Sequence, residues 1–110
     1  MDEYRIRITR QARDHLREIR RYIERELLAP GAAKNTVAAI KAEMQSLTHT
    51  PARIHLNPEQ PWHDQGVRMD RVKNYYIYFW IDEKNKKVQI IGLIYVRRDQ
   101  SKQLELMGME

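Results

Sequence analysis

Residues 75–96 read YYIYFWIDEKNKKVQIIGLIYV, and this stretch decides the fold. Its two halves, Tyr75–Asp82 and Lys87–Val96, are dense in aromatic and β-branched residues, which fit the pleated surface of a sheet. The charged and polar residues 83–86 between them predict a hairpin turn. Because both halves are apolar on both faces, we expect two antiparallel strands at the centre of a sheet rather than at its edges.

The residues before the hairpin predict one strand and two helices. YRIRI, residues 4–8, alternates apolar and charged side chains as a half-buried strand does, and Thr9 can cap a following helix. Apolar residues at helical spacing then predict an amphipathic helix of about 18 residues, a turn at Pro30-Gly31 and a second helix. Those apolar residues are Ala12, Leu16, Ile19, Ile23 and Leu27, then Ala33, Val37, Ile40, Met44 and Leu47. We interpret the charged side chains of the first helix as a solvated face.

The remaining segments complete one predicted domain, residues 1–110. A Pro/His-rich loop is predicted at 48–66, where three prolines and Gly66 interrupt any regular element. Residues 67–72 predict a short strand, Lys73-Asn74 a turn, and Asp99 or Ser101 the cap of a short C-terminal helix. The order is β-α-α-β-β-β. It predicts an α+β fold in which a helical hairpin packs on a mainly antiparallel four-stranded sheet.

The composition excludes several classes of protein. The chain has no cysteine, so disulfides, thiolate catalysis and cysteine-ligated metals are excluded. No apolar stretch approaches the roughly 20 residues of a membrane span, and the N-terminus lacks a signal-peptide pattern, so we expect a cytoplasmic protein. The net charge is +5, and residues 66–102 carry nine Lys/Arg against four Asp/Glu. This excess favours a polyanion or an acidic protein as partner.

Few residues in the sequence could carry chemistry. His49, His55 and His63 lack metal-binding spacing, and we expect no metal or cofactor. Cleavage of RNA without a metal needs a base, an acid and cations that stabilise the phosphorane. The candidates are Arg68, Arg71, Arg97 and Arg98, with Lys73, Tyr95 and His63 as neighbours. Taken alone, each arginine is better explained by a surface ion pair than by a functional role.

The aromatic block divides by its period of two into two sets of side chains. Tyr75, Ile77, Phe79 and Ile81 are expected in the core. The other set, Tyr76, Tyr78 and Trp80, fits either core beneath the helices or a wall on which bases stack, and the core interpretation is favoured.

Three segments together resemble the RelE/ParE superfamily of toxins from type II toxin–antitoxin modules. They are Y-x-I-x-I-T followed by A-x-x-x-L-x-x-I-x-x-Y-I (4–23), G-V-R-x-x-x-V-x-N-Y-Y-I-Y-F (66–79) and I-x-x-x-x-Y-x-R-R-D (90–99). The resemblance implies a small toxin without a cofactor, neutralised by an antitoxin encoded next door, of the kind also associated with plasmid stabilisation. The target would be either the ribosome and its mRNA, which RelE-like members cleave as metal-independent endoribonucleases, or DNA gyrase, which ParE-like members inhibit.

The resemblance also assigns expected roles to individual residues. For a ribonuclease, Arg68 and Arg98 match catalytic positions, and Tyr95 or His63 would serve as acid or base. From the residues themselves, without the resemblance, we expect Arg71, Lys73, Arg97 and Lys102 to bind the target, and we interpret the Leu27-Leu28 end of the first helix as an apolar anchor for the antitoxin.

Two departures favour the ParE-like branch. Tyr75 stands where the ribonucleases carry an arginine, and Leu104 stands near the position of their C-terminal tyrosine. Because the gyrase inhibitors act by binding, they need no complete catalytic set. A non-toxic nucleic-acid-binding module or a degenerate toxin is the alternative.

Overall fold

The computed structural model describes residues 3–109, which form a four-stranded sheet with helices on one face and a shorter helix on the other. The elements are β1 (Arg5–Ile8), α1 (Arg10–Arg21), α2 (Pro30–Ser46), β2 (Arg68–Val72), β3 (Tyr75–Asp82), β4 (Lys87–Tyr95) and α3 (Gln100–Glu105). The strand order is β1-β4-β3-β2, with β1 parallel to β4 and the other pairs antiparallel. The predicted α+β fold and the central position of β3 and β4 are confirmed.

The first helix begins at the predicted cap and ends irregularly. Thr9 Oγ1 accepts a hydrogen bond from the Ala12 amide at 3.3 Å and donates one to the Ile90 carbonyl at 2.9 Å, which joins the helix start to β4. After Arg21 the helix continues as one π-helical turn, Tyr22–Glu26. The described part of the chain contains no helix long and apolar enough to cross a membrane.

The predicted turn at Pro30-Gly31 is wrong. Both residues lie in the first turn of α2, and the chain reverses just before them, where Leu28 has a φ of 50°. The physical reason is that proline at the first position of a helix loses no hydrogen bond, because the amide there has no partner within the helix. The same proline therefore fits the start of α2 as well as a turn.

A β-bulge interrupts the regular pairing of β3 with β4. Phe79 pairs with Ile90, but the neighbouring Tyr78 pairs with Gly92, so Ile91 is an extra residue in β4. Ile90 and Leu93 consequently pack under the helical hairpin, whereas Ile91 packs on the opposite face. The bulge thus shifts the alternation of β4 by one residue half-way along the strand.

The second face of the sheet has its own core. It contains Trp62, Val67, Tyr78, Ile91, Ile94 and Leu104, with Tyr76, Trp80, Met107 and Met109 packed against it. The favoured core interpretation therefore holds for Tyr76, Tyr78 and Trp80. This core is covered by Trp62 and by the C-terminal segment, residues 104–109, rather than by α1 and α2. Segment 48–66 supplies this cover: a 3₁₀ turn at Pro51–Arg53 and a bridge between Leu56 and Arg68 lead into the turn that holds Trp62.

Candidate functional site

A groove opens beside β4 because β1 is too short to cover it. β1 pairs only with Lys87–Ile90, so the last five residues of β4 have no strand on that side. α1, the Lys73-Asn74 turn and the C-terminal segment border the space, which has a volume of about 1150 Å³. We call it the β4 groove. It is lined by Gln11, His15, Glu18, Ile19, Tyr22, Ile23, Leu27, Ala32, Thr36, Lys73, Asn74, Tyr75, Leu93, Ile94, Tyr95, Arg98, Gln103, Leu106 and Met107.

The wall formed by α1 meets β4 through a histidine. His15 Nδ1 accepts a hydrogen bond from the Leu93 backbone amide at 3.1 Å. Burial lowers the pKa of His15, although the carboxylates of Glu18 and Asp14 oppose this effect. The imidazole is therefore held neutral, with its proton on Nε2, and it satisfies an amide that β1 leaves unpaired.

Tyrosines form the floor and rim of the groove. The rings of Tyr75 and Tyr95 lie 5.7 Å apart at an interplanar angle of 60°. Burial raises the pKa of Tyr75, and the neighbouring Tyr95 and Tyr22 raise it further. Tyr75 therefore stays protonated and can donate a hydrogen bond, but it cannot act as a base near neutral pH.

The cations of the groove come from two turns. Lys73 lies in the turn between β2 and β3, and Arg98 lies in the turn after β4, and both are exposed. The position of Arg98 is fixed on each side: its amide donates to the Tyr95 carbonyl at 3.0 Å, and Asp99 caps α3 by accepting from the Lys102 amide at 3.1 Å. These contacts hold the backbone of Arg98 close to Tyr95.

Arg68, by contrast, lies outside the β4 groove. Its Nη1 donates to the carbonyls of Ile54 at 2.6 Å and Ala52 at 3.3 Å, so its guanidinium holds segment 48–66 against β2. The residue of β2 in line with Tyr95 is Val72, four residues further along. At about 3.3 Å per residue and 4.8 Å per strand, Arg68 lies roughly 13 Å along the sheet and 10 Å across it from Tyr95.

The other predicted site residues are also dispersed. Arg71 donates from Nε to the Lys73 carbonyl at 3.2 Å at the rim of β2. His63 lies on the segment over the second face, with Nδ1 3.5 Å from Asp64 Oδ1. Arg97 and Lys102 are exposed around the start of α3. Of the predicted set, the structure brings together only Lys73, Tyr95 and Arg98.

The charge excess of residues 66–102 is likewise divided. Lys84, Lys86 and Lys87 lie at the β3–β4 hairpin, whereas Arg97, Arg98 and Lys102 lie at the other end of β4. An eight-residue strand separates the two groups, a length of about 27 Å. The charge excess therefore does not form one continuous basic surface, because the strands that carry it place their two ends far apart.

Comparison with known proteins identifies the family. A family model described as the ParE toxin of the type II toxin–antitoxin system parDE matches residues 6–100. The chain belongs to the ParE toxin family. The fold of this ParE-family toxin is similar to that in a chromosomal ParDE toxin–antitoxin system from P. aeruginosa: TM-score 0.71, 21% identity, and cover of 86% of this chain and 98% of that one.

A second solved structure has the same fold. It is the toxin–antitoxin complex RelBE2 from Mycobacterium tuberculosis, with a TM-score of 0.61, 20% identity and cover of 86% of this chain and 93% of that one. No curated protein gives a match. The predicted membership of the RelE/ParE superfamily is confirmed, and the chain is a toxin of a type II toxin–antitoxin system.

The second face of this ParE-family toxin is closed. Tyr78 is fully buried; its hydroxyl donates to Gln100 Oε1 at 2.8 Å, and burial raises its pKa. Trp80 Nε1 donates to the Met109 carbonyl at 2.8 Å, and Gln11 exchanges two hydrogen bonds with the Gly108 backbone. These contacts pin residues 107–109 across the sheet. Tyr78 and Trp80 are consequently held in this core and offer no free surface on which bases could stack.

A carboxyl cluster of the toxin lies outside any groove. Asp70 is 8% exposed, and its Oδ2 has no hydrogen-bond donor among the described residues. Burial and the adjacent Glu43 carboxyl raise the pKa of Asp70 to about 7, while Arg53 acts in the opposite direction. Arg53 lies 4.0 Å from Glu43 and donates to Ser46 Oγ at 3.1 Å. We interpret this cluster as a join between α2, β2 and segment 48–66.

Sequence reasoning missed three groove residues, His15, Glu18 and Tyr22. A signal was present: Gln11, His15, Glu18 and Tyr22 follow one another at helical spacing beside the apolar stripe of α1. Such a row of larger polar and aromatic side chains flanking a core stripe indicates a border between packed and solvated surface.

Proposed function

We propose that this ParE-family toxin inhibits growth by binding DNA gyrase and that the β4 groove and the cations around it form the contact surface. Arg98 and Lys73 lie within the groove, and Arg97 and Lys102 flank it at the start of α3. Tyrosine and arginine side chains, both of which line the β4 groove, contribute most of the binding energy at many protein interfaces.

The separation of Arg68 from Arg98 carries this proposal. Metal-independent cleavage of RNA needs base, acid and cations within a few ångströms of one phosphate. Here the Arg68 guanidinium is committed to the carbonyls of Ala52 and Ile54, and His63 lies over the opposite face of the sheet. A function that rests on binding is compatible with this arrangement, whereas two of the residues assigned to ribonuclease chemistry, Arg68 and His63, lie away from Tyr95 and Arg98.

A supercoiling assay tests the proposal. We expect the purified toxin to block supercoiling by DNA gyrase and Arg98→Ala to reduce the inhibition by about tenfold or more, as loss of a central arginine anchor does. Lys84→Ala is the matched control, because it removes one exposed cation at the far end of β3 and β4. Full supercoiling in the presence of excess wild-type toxin would end the proposal.

Ribosome-dependent mRNA cleavage is the second candidate, because Tyr95, Arg98 and Lys73 share one groove. Primer extension on mRNA from an in vitro translation reaction distinguishes the two. Cuts at codon positions that vanish in Arg98→Ala and persist in Lys84→Ala would replace gyrase inhibition by this function. If cells grow normally on induction, and the chain neither blocks supercoiling nor cleaves mRNA, the protein is a degenerate toxin or a non-toxic binding module. Tight binding of nucleic acid in a filter-binding assay would then favour the non-toxic binding module.

We also propose that a cognate antitoxin, encoded next door, docks an apolar segment with acidic flanks in the β4 groove. Tyr22 is 54% and Leu27 56% exposed on the α1 side, and Leu106 is exposed on the opposite side. Lys73 and Arg98 give the rim a basic character that acidic flanks would complement. Leu28 is 82% exposed but does not line the groove.

Leu27 and Leu28 supply a matched pair of toxin variants that tests where the antitoxin binds. Leu27→Glu should weaken binding of the product of the adjacent gene by about tenfold or more, while Leu28→Glu should change it little, as measured by titration calorimetry. Equal losses in both variants would place the antitoxin outside the groove. If the product of the adjacent gene does not bind the wild-type toxin, the antitoxin proposal fails.

A further inference from the structure

The first helix carries a second charged surface, separate from the β4 groove. Residues 5–25 contain eight arginines, no lysine and three acidic residues. Five of these arginines are exposed on α1: Arg10, Arg13, Arg17, Arg20 and Arg21. At 3.6 residues per turn they fall within an arc of about 100°, and together they span about 16 Å of helix. We call this surface the α1 arginine face.

The arginine face points away from both the core and the groove. The groove side of α1 carries Gln11, His15 and Glu18, whose mean direction is turned by roughly 135° from that of the five arginines. A partner seated in the groove therefore leaves the arginine face open. The two surfaces can be occupied at the same time.

Nearby acidic groups do not neutralise this face. Within residues 3–109 its ion pairs are Arg17 with Asp14 at 3.1 Å and Arg20 with Glu24 at 4.0 Å, and both pairs are largely exposed. Exposed pairs of this kind contribute little and exchange readily. Arg13 donates from Nε to the Ile8 carbonyl at 3.1 Å, which leaves its two terminal nitrogens available.

We propose that the α1 arginine face binds the phosphate backbone of duplex DNA without reading its sequence. A planar guanidinium grips two phosphate oxygens at once, which a lysine cannot do. A span of about 16 Å corresponds to roughly five base pairs of B-DNA at 3.4 Å each, and its major groove, about 12 Å wide, admits a helix.

Other polyanions fit this face less well. Single-stranded RNA is held by aromatic side chains on which bases stack, and the outward face of α1 carries none, since Tyr22 lines the β4 groove. Duplex RNA has a major groove too narrow for a helix. A lipid surface needs an apolar helix face, and that of α1 is packed in the core through Ala12 and Ile19. The inference does not depend on the target proposed above.

Fluorescence anisotropy with a labelled 24-bp duplex of mixed sequence tests the proposal on the full chain. The variant Arg10→Gln/Arg17→Gln/Arg21→Gln removes three cations that lie nearly in line on α1. The control Lys34→Gln/Lys41→Gln/Lys84→Gln removes the same charge from exposed positions elsewhere. Circular dichroism establishes that both variants fold.

We expect the arginine variant to bind the duplex at least tenfold more weakly at 100 mM KCl. Its slope of log Kd against log salt should be smaller by about two to three, because each lost phosphate contact removes about 0.9. The control should stay within about threefold of wild type. The proposal is overturned if wild type does not bind the duplex at 50 mM KCl, if the control loses as much as the arginine variant, or if single-stranded RNA of equal length binds more tightly.

Discussion

His15 completes the open edge of β4 by accepting the amide hydrogen of Leu93 at 3.1 Å. The acceptor nitrogen exists only in the neutral imidazole, and burial lowers the pKa of His15. Because the folded pKa lies below the unfolded value near 6.5, the unfolded chain takes up the proton first as the pH falls. The stability that His15 contributes is therefore present above pH 6.5 and is lost as the pH falls through the folded pKa.

We expect the free energy of unfolding to fall between pH 7 and pH 5 more steeply in wild type than in His15→Asn. The Oδ1 atom of asparagine occupies the position of the histidine Nδ1 and can accept the same hydrogen bond, but it does not titrate. Urea titrations at both pH values measure the difference between the two proteins. Parallel pH profiles for wild type and variant would show that the contact with Leu93 is not linked to protonation.

Asp70 should show the opposite dependence on pH. Its pKa of about 7 lies above its unfolded value of 3.8, so the folded state holds the proton more tightly and loses stability as the pH rises from about 4 to about 7. Asp70→Asn removes this loss and supplies an amide donor to Glu43. We expect the variant to be more stable than wild type at pH 8, by at most about 4 kcal/mol, with a smaller gain at pH 5. Thermal unfolding of both proteins at pH 5 and pH 8 measures the gain in stability. A gain that is the same at the two pH values would contradict the prediction.

Gly92 and Met107 should behave as a coupled pair. A Cβ on Gly92 would overlap the Met107 thioether and reach within 3.0 Å of His15 Cε1. Because the end of a methionine is flexible, Gly92→Ala should displace Met107 and cost about 1–3 kcal/mol. Gly92→Ala/Met107→Ala should cost less than the sum of the single variants in a double-mutant cycle. Additive losses would show that residue 92 has room for a methyl group.

Arg68 and Arg98 should separate stability from activity. Arg68→Ala leaves the carbonyls of Ala52 and Ile54 without their donor and should cost about 1–2 kcal/mol of unfolding free energy. Arg98→Ala, at an exposed turn, should change stability by no more than about 0.5 kcal/mol while abolishing growth inhibition. Thermal melts and induction in cells measure the two effects. If Arg68→Ala lost toxicity without losing stability, Arg68 would belong to the functional surface after all.

The fold was predictable because its signals are local. Each element is specified by its own short pattern: the alternation in YRIRI, the apolar stripes of both helices, and the two strands rich in aromatic and β-branched residues on either side of residues 83–86. The bulge at Ile91 was not predictable, because an extra residue in a strand that is apolar throughout leaves the hydrophobic pattern unchanged. Pro30 was misread because its ring suits a turn and a helix start equally.

The candidate site was predictable only in part. Arg98 and Tyr95 lie close together in sequence, at the end of one strand, so their proximity follows from the sequence. The order of the strands predicts that Arg68 lies near Arg98 and Tyr95. The register between β2 and β3, which the sequence does not show, places Arg68 beside Phe79 rather than beside Tyr75. The charged side chains of α1 predict a solvated face, because charged residues opposite the apolar stripe of an amphipathic helix need no other explanation.

The pairing of β1 with β4 also sets the order in which the fold can form during synthesis of the chain. Arg5–Ile8 leaves the ribosome about eighty residues before its partner Lys87–Ile90. Neither the sheet nor the groove beside Leu93 and Tyr95 can close before β4 emerges. We therefore expect a nascent chain of this protein to lack the β4 groove until β4 is made, so that neither the target nor the antitoxin proposed to bind there can engage it earlier.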